Sequence, residues 1–319
     1  MLKVYDLIER KNFMKEFYPE GLLENNPENK LRLSSLPAIR DAMNNGCILE
    51  AKAFMCDSGH NLIVNLGSVK GIIPKDEGAI GIREGTVRDI ALISRVGKPV
   101  SFTVTDIKTD SLGKPVAMLS RRSAQERCRK EFISNLVPGD IVDAKITHLE
   151  SFGAFCDIGC GIIALLPIDS ISVSRISHPR DRFKPGDEIK AVIKYIDEDG
   201  KITLTHKELL GTWQENADRF SAGQTVSGVI RSIEDYGIFV EITPNLAGLA
   251  EPRNDCFIGQ KTSVYIKSII PEKMKVKLII IDSFDSDYTP KIEYFKESGH
   301  IDEWFYSTEN CFKQIYTEF

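Results

Sequence analysis

Apolar and polar residues alternate over short runs along most of this chain. Val142, Ala144 and Ile146 share one side of such a run. So do Val226, Gly228 and Ile230, Ile189, Ala191 and Ile193, and Val276, Leu278 and Ile280. A period of two predicts half-buried β-strands. Gly159, Pro185-Gly186 and the stretch Asp197-Glu198-Asp199-Gly200-Lys201 supply turn chemistry between them. The period lengthens at both ends and once in the middle. Leu36, Ile39 and Met43 make a helical stripe that stops before Gly46, so residues 1–45 are read as helical. Leu209, Leu210, Trp213, Ala217 and Phe220 predict a connecting helix across His206–Phe220, despite Gly211; a flexible linker is the alternative. Thr289-Pro290 is a helix start, and Phe312, Ile315, Tyr316 and Phe319 fall on one helical face. That last helix would either pack on its neighbour or dock a partner.

The strand pattern repeats. The stretch from Pro138 (PGDIVDAKITHLESFGAFCDIG) aligns with the one from Ala222 (AGQTVSGVIRSIEDYGIFVEIT) at a constant offset of 84 residues. Phe152 then matches Tyr236, Gly153 matches Gly237, Phe155 matches Phe239 and Asp157 matches Glu241. A more divergent copy starts near Asn45, where counting back from Gly67 puts His60 and Ile63 at the aromatic positions. Repeated units of short antiparallel strands predict small closed barrels. The expected organisation is a helical extension (1–45), three barrels (46–127, 138–210 and 221–283) and an acidic, aromatic helical segment (284–319).

Composition narrows the function classes. Hydrophobic residues make up 42% and charged residues 27%, as in an ordinary soluble globular protein. The net charge of −5 argues against a wholly basic nucleic-acid protein, but not against local basic faces. Residues 46–127 hold 12 Lys+Arg against 9 Asp+Glu, 138–210 hold 9 against 12, 221–283 hold 7 against 7, and the tail 3 against 8. The seven cysteines are scattered and show no zinc spacing; ordinary reduced thiols are expected, with no metal and no cofactor. The charged N-terminus is unlike a signal peptide, and no run reaches the ~20 apolar residues of a membrane span. A cytoplasmic, monomeric protein away from membranes is expected.

Phe152 and Phe155 pose the main chemical question. Residues three apart on an ideal strand face opposite ways, so the two rings read as core unless the chain curls at Gly153. If it curls, they form an exposed platform on which bases can stack.

The runs just quoted, together with ALLP at 164–167, SHPRDRFKPGDE at 177–188 and DEDGKITL at 197–204, resemble the S1 RNA-binding motif of the bacterial ribosomal protein S1 family. The resemblance is strongest over 138–210, good over 221–283 and weaker over 46–127. It implies a mainly β fold of three tandem five-stranded OB-fold barrels with helical ends. It also implies an RNA face of two aromatics, a histidine, an aspartate and a basic residue. On that basis Phe152, Phe155, Asp197 and Lys201 are candidates in the second unit, and Tyr236, Phe239 and Lys275 in the third. Pro167 and Glu251 stand where the histidine is usual. Asp197 either contacts RNA or caps its turn. His60 and Lys114 are the weaker candidates of the first unit, with Arg121 and Arg122 at its close. Arg175, Arg180 and Arg182 form either a phosphate-binding edge or a solvated loop face, and His178 reads as a turn residue.

The implied function is non-catalytic binding of single-stranded RNA such as mRNA in translation, with the small ribosomal subunit as a further partner. A protein adaptor on the ribosome or RNA machinery, or a regulator of RNA metabolism with weak RNA binding, is the alternative. No P-loop, nucleophile motif or metal-type carboxylate cluster points to an enzyme.

Overall fold

The structure is a computed structural model that describes residues 17–67, 69–285 and 292–319. By internal contacts the chain divides into two units: residues up to 136 with 157–163, and residues 137–156 with 164–319. Among the described residues no helix is long and apolar enough to cross a membrane.

In the first unit, two short helices precede a barrel; residues 1–16 of the expected helical extension lie outside the described residues. Helix α1 is Pro27–Leu33 and α2 is Leu36–Asn44. Asn26 and Ser35 cap their free N–H groups, and a proline stands in the first turn of each. The α2 stripe buries Ile39 and Ala42 against the barrel core. Strands β1 (Leu49–Cys56), β2 (Leu62–Asn65), β3 (Lys70–Ile73), β4 (Pro99–Thr109) and β5 (Pro115–Ser120) close in the order β1-β2-β3-β5-β4. The short helix α3 (Ile90–Ile93) lies between β3 and β4, and α4 (Arg121–Arg127) follows β5.

The second unit repeats that order twice. Strands β6 (Ile141–Glu150), β7 (Gly153–Asp157), β8 (Ile163–Pro167), β9 (Glu188–Ile196) and β10 (Ile202–Thr205) form the second barrel. After it, α5 (Trp213–Ala217) leads to the third, made of β11 (Thr225–Glu234), β12 (Gly237–Thr243), β13 (Leu246–Ala250), β14 (Lys261–Ile270) and β15 (Lys275–Phe284). In the first and third barrels four strand pairs are antiparallel, and each of the three barrels has one parallel pair: β3 with β5, β8 with β10, β13 with β15. This is the OB-type closure that leaves no sheet edge open.

Two of the helical expectations need correction. Between the barrels the chain makes a 3₁₀ turn at Lys207–Leu210 and then α5, not one helix. Gly211 breaks it with φ +80°, a left-handed conformation that helices do not use. The apolar stripe is still buried: Leu209, Trp213 and Ala217 join the core of the third barrel. At the C-terminus, the helix expected over Phe312–Phe319 gives way to a ribbon of β16 (Glu303–Phe305) and β17 (Tyr316–Glu318). Backbone bonds outcompete the helix here, with Tyr306 N–H donating to Ile315 O and Ile315 N–H to the Ser307 hydroxyl. The segment packs on the barrels. Trp304 and Tyr306 are buried, and the Tyr306 hydroxyl donates to Asn245 O at 2.6 Å. The expected helix start at Thr289-Pro290 lies outside the described residues.

His206, just after β10, is fully buried. Its Nδ1 lies 2.9 Å from Ile171 O and its Nε2 3.2 Å from the Tyr294 hydroxyl, which fits a neutral ring donating from Nδ1. Burial pushes its pKa down from 6.5 to about 4. The folded value lies below the unfolded one, so the unfolded chain takes up the proton first as pH falls. Stability is therefore lost between about pH 6.5 and 4, by roughly 3 kcal/mol for a shift of that size. A His206→Gln variant should lack this part of the acid slope, read as urea midpoints at neutral and mildly acidic pH.

Candidate nucleic-acid interface

The strand registers assemble an outward row across each barrel. In the third barrel Ser232 pairs with Phe239, Phe239 with Leu249, Leu249 with Lys277 and Lys277 with Ser268. Directly paired residues point to the same side of a sheet, so these five side chains all point outward, in a row that runs around the closed barrel. In the second barrel Leu165 pairs with Thr203 and Thr203 with Tyr195, and the 84-residue offset carries Phe155 onto Phe239 and Leu165 onto Leu249. The row of the first barrel reads Met55, Ile63, Ile72, Met118 and Asp106.

Phe152 and Phe155 do share a surface. Phe152 lies in the β6–β7 turn and not on the strand, so strand alternation does not apply to it. Phe152 is 54% exposed and Phe155 is half-buried. Their ring centroids are 6.0 Å apart, with planes at 90°. Tyr236 and Phe239 repeat the geometry at 6.1 Å and 89°, with Tyr236 66% exposed. Edge-to-face packing holds one ring by the other and leaves a face of each pair to solvent.

The glycine between the rings is required by space. A Cβ at Gly153 would lie 2.6 Å from Leu166 O, and one at Gly237 would lie 2.5 Å from Ala250 O. The same close approach of strands thus occurs in both barrels. Gly153→Ala should push β7 off β8, costing ~1–3 kcal/mol by overpacking. Its urea midpoint should fall, and the exposure of Phe152 to a collisional quencher should change.

The third barrel adds positive charge. Tyr236, Phe239, Lys267, Lys275 and Lys277 line one groove of about 510 Å³. Lys275 is thus brought to the aromatic pair as the sequence suggests. Lys277 follows from the period of two along β15, while Lys267 needs the fold to be seen. Glu251, at the position usual for the histidine, lies 3.9 Å from Lys267.

The second barrel is different. Asp197 closes its hairpin, accepting the Lys201 N–H at 2.7 Å, so its turn-capping role is present. Lys201 is exposed but reaches Asp199 at 2.9 Å. His148, which sequence reasoning did not single out, is exposed and stacks on Phe155 at 6.3 Å and 24°. Pro167 sits on β8 as the sequence placed it.

Several candidates are occupied elsewhere. Arg121 is buried, with Nε 2.6 Å and Nη2 3.1 Å from the Glu20 carboxylate, and so is not a phosphate contact. Arg122 holds Glu84 and Glu126, each at 2.8 Å. Arg182 is also buried, locked to Glu241 at 2.5 Å. Arg175 and Arg180 stay exposed, and His178 caps the short turn at Pro179–Asp181. In the first barrel Ile63 is 2% exposed and His60 turns to Asp89 at 3.3 Å, so no aromatic platform forms at these positions. Asn61 takes the place of the spacing glycine, and its side chain accepts from Lys75 N–H. Lys114 sits exposed beside a hairpin closed by Asp110, the same turn as Asp197-Lys201.

Closed five-stranded barrels in tandem, two of them carrying an outward aromatic pair, define a protein of the OB-barrel class. The S1 RNA binding domain family matches residues 136–207, which span the second barrel. A small ribosomal subunit protein bS1 homolog of Bacillus subtilis (strain 168) is 30% identical over 230 residues, 69% of this chain and 56% of that protein. Small ribosomal subunit protein bS1 of Leuconostoc lactis is 30% identical over 254 residues, 73% and 56% of the two chains. A crystal structure of a multidomain protein with nucleic acid binding domains from Streptococcus pneumoniae TIGR4 covers 76% of this chain and 75% of that one, at 14% identity and a TM-score of 0.25. The second barrel thus matches an S1 domain, and the chain is similar to these bS1 proteins over most of its length. It spans a little over half the length of those two curated relatives, at 56%.

Proposed function

We propose that this chain is a non-catalytic protein that binds single-stranded RNA, acting in translation on mRNA at the small ribosomal subunit in the cytoplasm. The observation that carries the reading is the repeated edge-to-face pair, Phe152–Phe155 and Tyr236–Phe239, the second of which lines a groove with three lysines. Aromatic faces stack unpaired bases with little sequence preference, and lysines neutralise the backbone. Duplex RNA hides its base faces and cannot use such a surface. The names of the bS1 relatives support the ribosomal setting. The two barrels of the second unit act in series, so modest contacts on each add up through tethering. The test is a titration of one RNA sequence, single-stranded and as duplex, at several salt concentrations. The expected result is tighter binding of the single strand. Equal binding of both forms would contradict the reading.

A further inference from the structure

The rows across the second and third barrels differ in kind. Between the two barrels, Phe155 corresponds to Phe239 and Leu165 to Leu249, but Thr203 stands for Lys277 and Tyr195 for Ser268. Tyr195 is 51% exposed, on the outer face of β9. Thr203, its partner on β10, is 8% exposed. The second barrel thus presents aromatic rings at both ends of its row. Along this row Phe155 and Tyr195 lie three of the five strands apart around the closed barrel, so a single strand that meets both must wrap around the barrel rather than lie flat on one side of it.

Charge differs in the opposite sense. The third barrel gathers Lys267, Lys275 and Lys277 in its groove. The hairpin tip of the second barrel holds Lys201 among Asp197, Glu198 and Asp199, and Asp199 already takes its ammonium. A phosphate gains little there.

We propose that Tyr195 is an additional base-stacking platform, so that the second barrel holds RNA by its bases alone while the third adds phosphate contacts to its own aromatic pair. This rests on the single-stranded RNA reading above. The ligand class is an unpaired stretch long enough to run from the Phe152–Phe155 pair across β8 and β10 to β9.

The experiment titrates short and longer oligouridylates into the full chain and its variants at several salt concentrations. Tyr195→Ala should weaken binding of the longer oligomer by roughly 5-fold or more, the loss of one stacked base. Its salt slope should match the wild type, and Tyr195→Phe should retain affinity. Lys275→Ala/Lys277→Ala should lower the slope of log K against log salt by about 1.4, about 0.7 per lost phosphate contact on a single strand. In Tyr195→Trp the new indole should be quenched by the oligomer, and the native Trp213 and Trp304 are both buried. If Phe152→Ala/Phe155→Ala loses affinity while Tyr195→Ala does not, and no quench appears, this proposal is wrong and the RNA reading stands. If the wild type does not bind the single strand, both fall together.

Discussion

Replacing Phe152 and Phe155 together by alanine should weaken single-stranded RNA binding by about 30-fold or more. A stacked base contributes ~1–3 kcal/mol, and two lost platforms remove at least ~2 kcal/mol. The loss should barely depend on salt, because no charge is removed. Tyr236→Ala/Phe239→Ala should act in the same direction from the third barrel. Phe152 lies in an exposed turn, so its truncation alone should leave stability within a few tenths of a kcal/mol. Fluorescence anisotropy with labelled RNA reads the first effect, and a thermal melt the second.

The second large effect concerns the junction between the second and third barrels. Arg182, from the second barrel, and Glu241, from β12, have side chains with 0% exposure and meet at 2.5 Å. Burial lowers the Arg182 pKa, and the Glu241 charge counters it. Arg231 approaches the same carboxylate at 2.9 Å, and Ser172 Oγ accepts from Arg182 at 3.2 Å. Asn245 ties the same faces: its amide donates to Lys207 O and Gly211 O, and its carbonyl accepts from Val173 N–H. Glu241→Ala strands the buried Arg182 guanidinium and should cost about 3–5 kcal/mol. The urea midpoint should drop accordingly. An Arg182→Met/Glu241→Leu pair should recover part of the loss, since apolar groups of similar volume can replace a buried pair, while Arg231 still loses its contact with the Glu241 carboxylate. RNA long enough to bridge both barrels should bind Glu241→Ala more weakly, because the tether no longer holds the two faces in register.

Much of this fold was legible because the repeat is legible. The strand alternation and the 84-residue offset placed Phe152, Phe155, Tyr236 and Phe239 at equivalent positions, and the structure gives both pairs the same ring geometry around a glycine that opens its strand. Counting back from Gly67 put His60 and Ile63 at the aromatic positions, and there the structure has a histidine turned to Asp89 and a buried isoleucine. The hairpin at Asp197–Lys201 was written in its turn residues. What stayed hidden depended on long-range contacts. Arg121 and Arg182 look like surface cations in sequence, and only the fold brings Glu20 and Glu241 to them. The Phe312–Phe319 stripe has helical spacing, yet residues 303–307 offer its backbone better partners. The role of Gly153 was half legible. A glycine was needed, but the reason is the carbonyl of Leu166 pressed against it. Tyr195 and His148 joined the surface only once β6, β9 and β10 were wrapped into a barrel.

The most direct measurement of the central claim is ultraviolet crosslinking of oligouridylate to the full chain, followed by peptide mapping. The account predicts crosslinks at Phe152, Phe155, Tyr236 and Phe239, lost when excess single-stranded RNA competes and kept when duplex does. Crosslinks confined to other exposed aromatics, such as Phe305 and Tyr316 of the C-terminal ribbon, would contradict it.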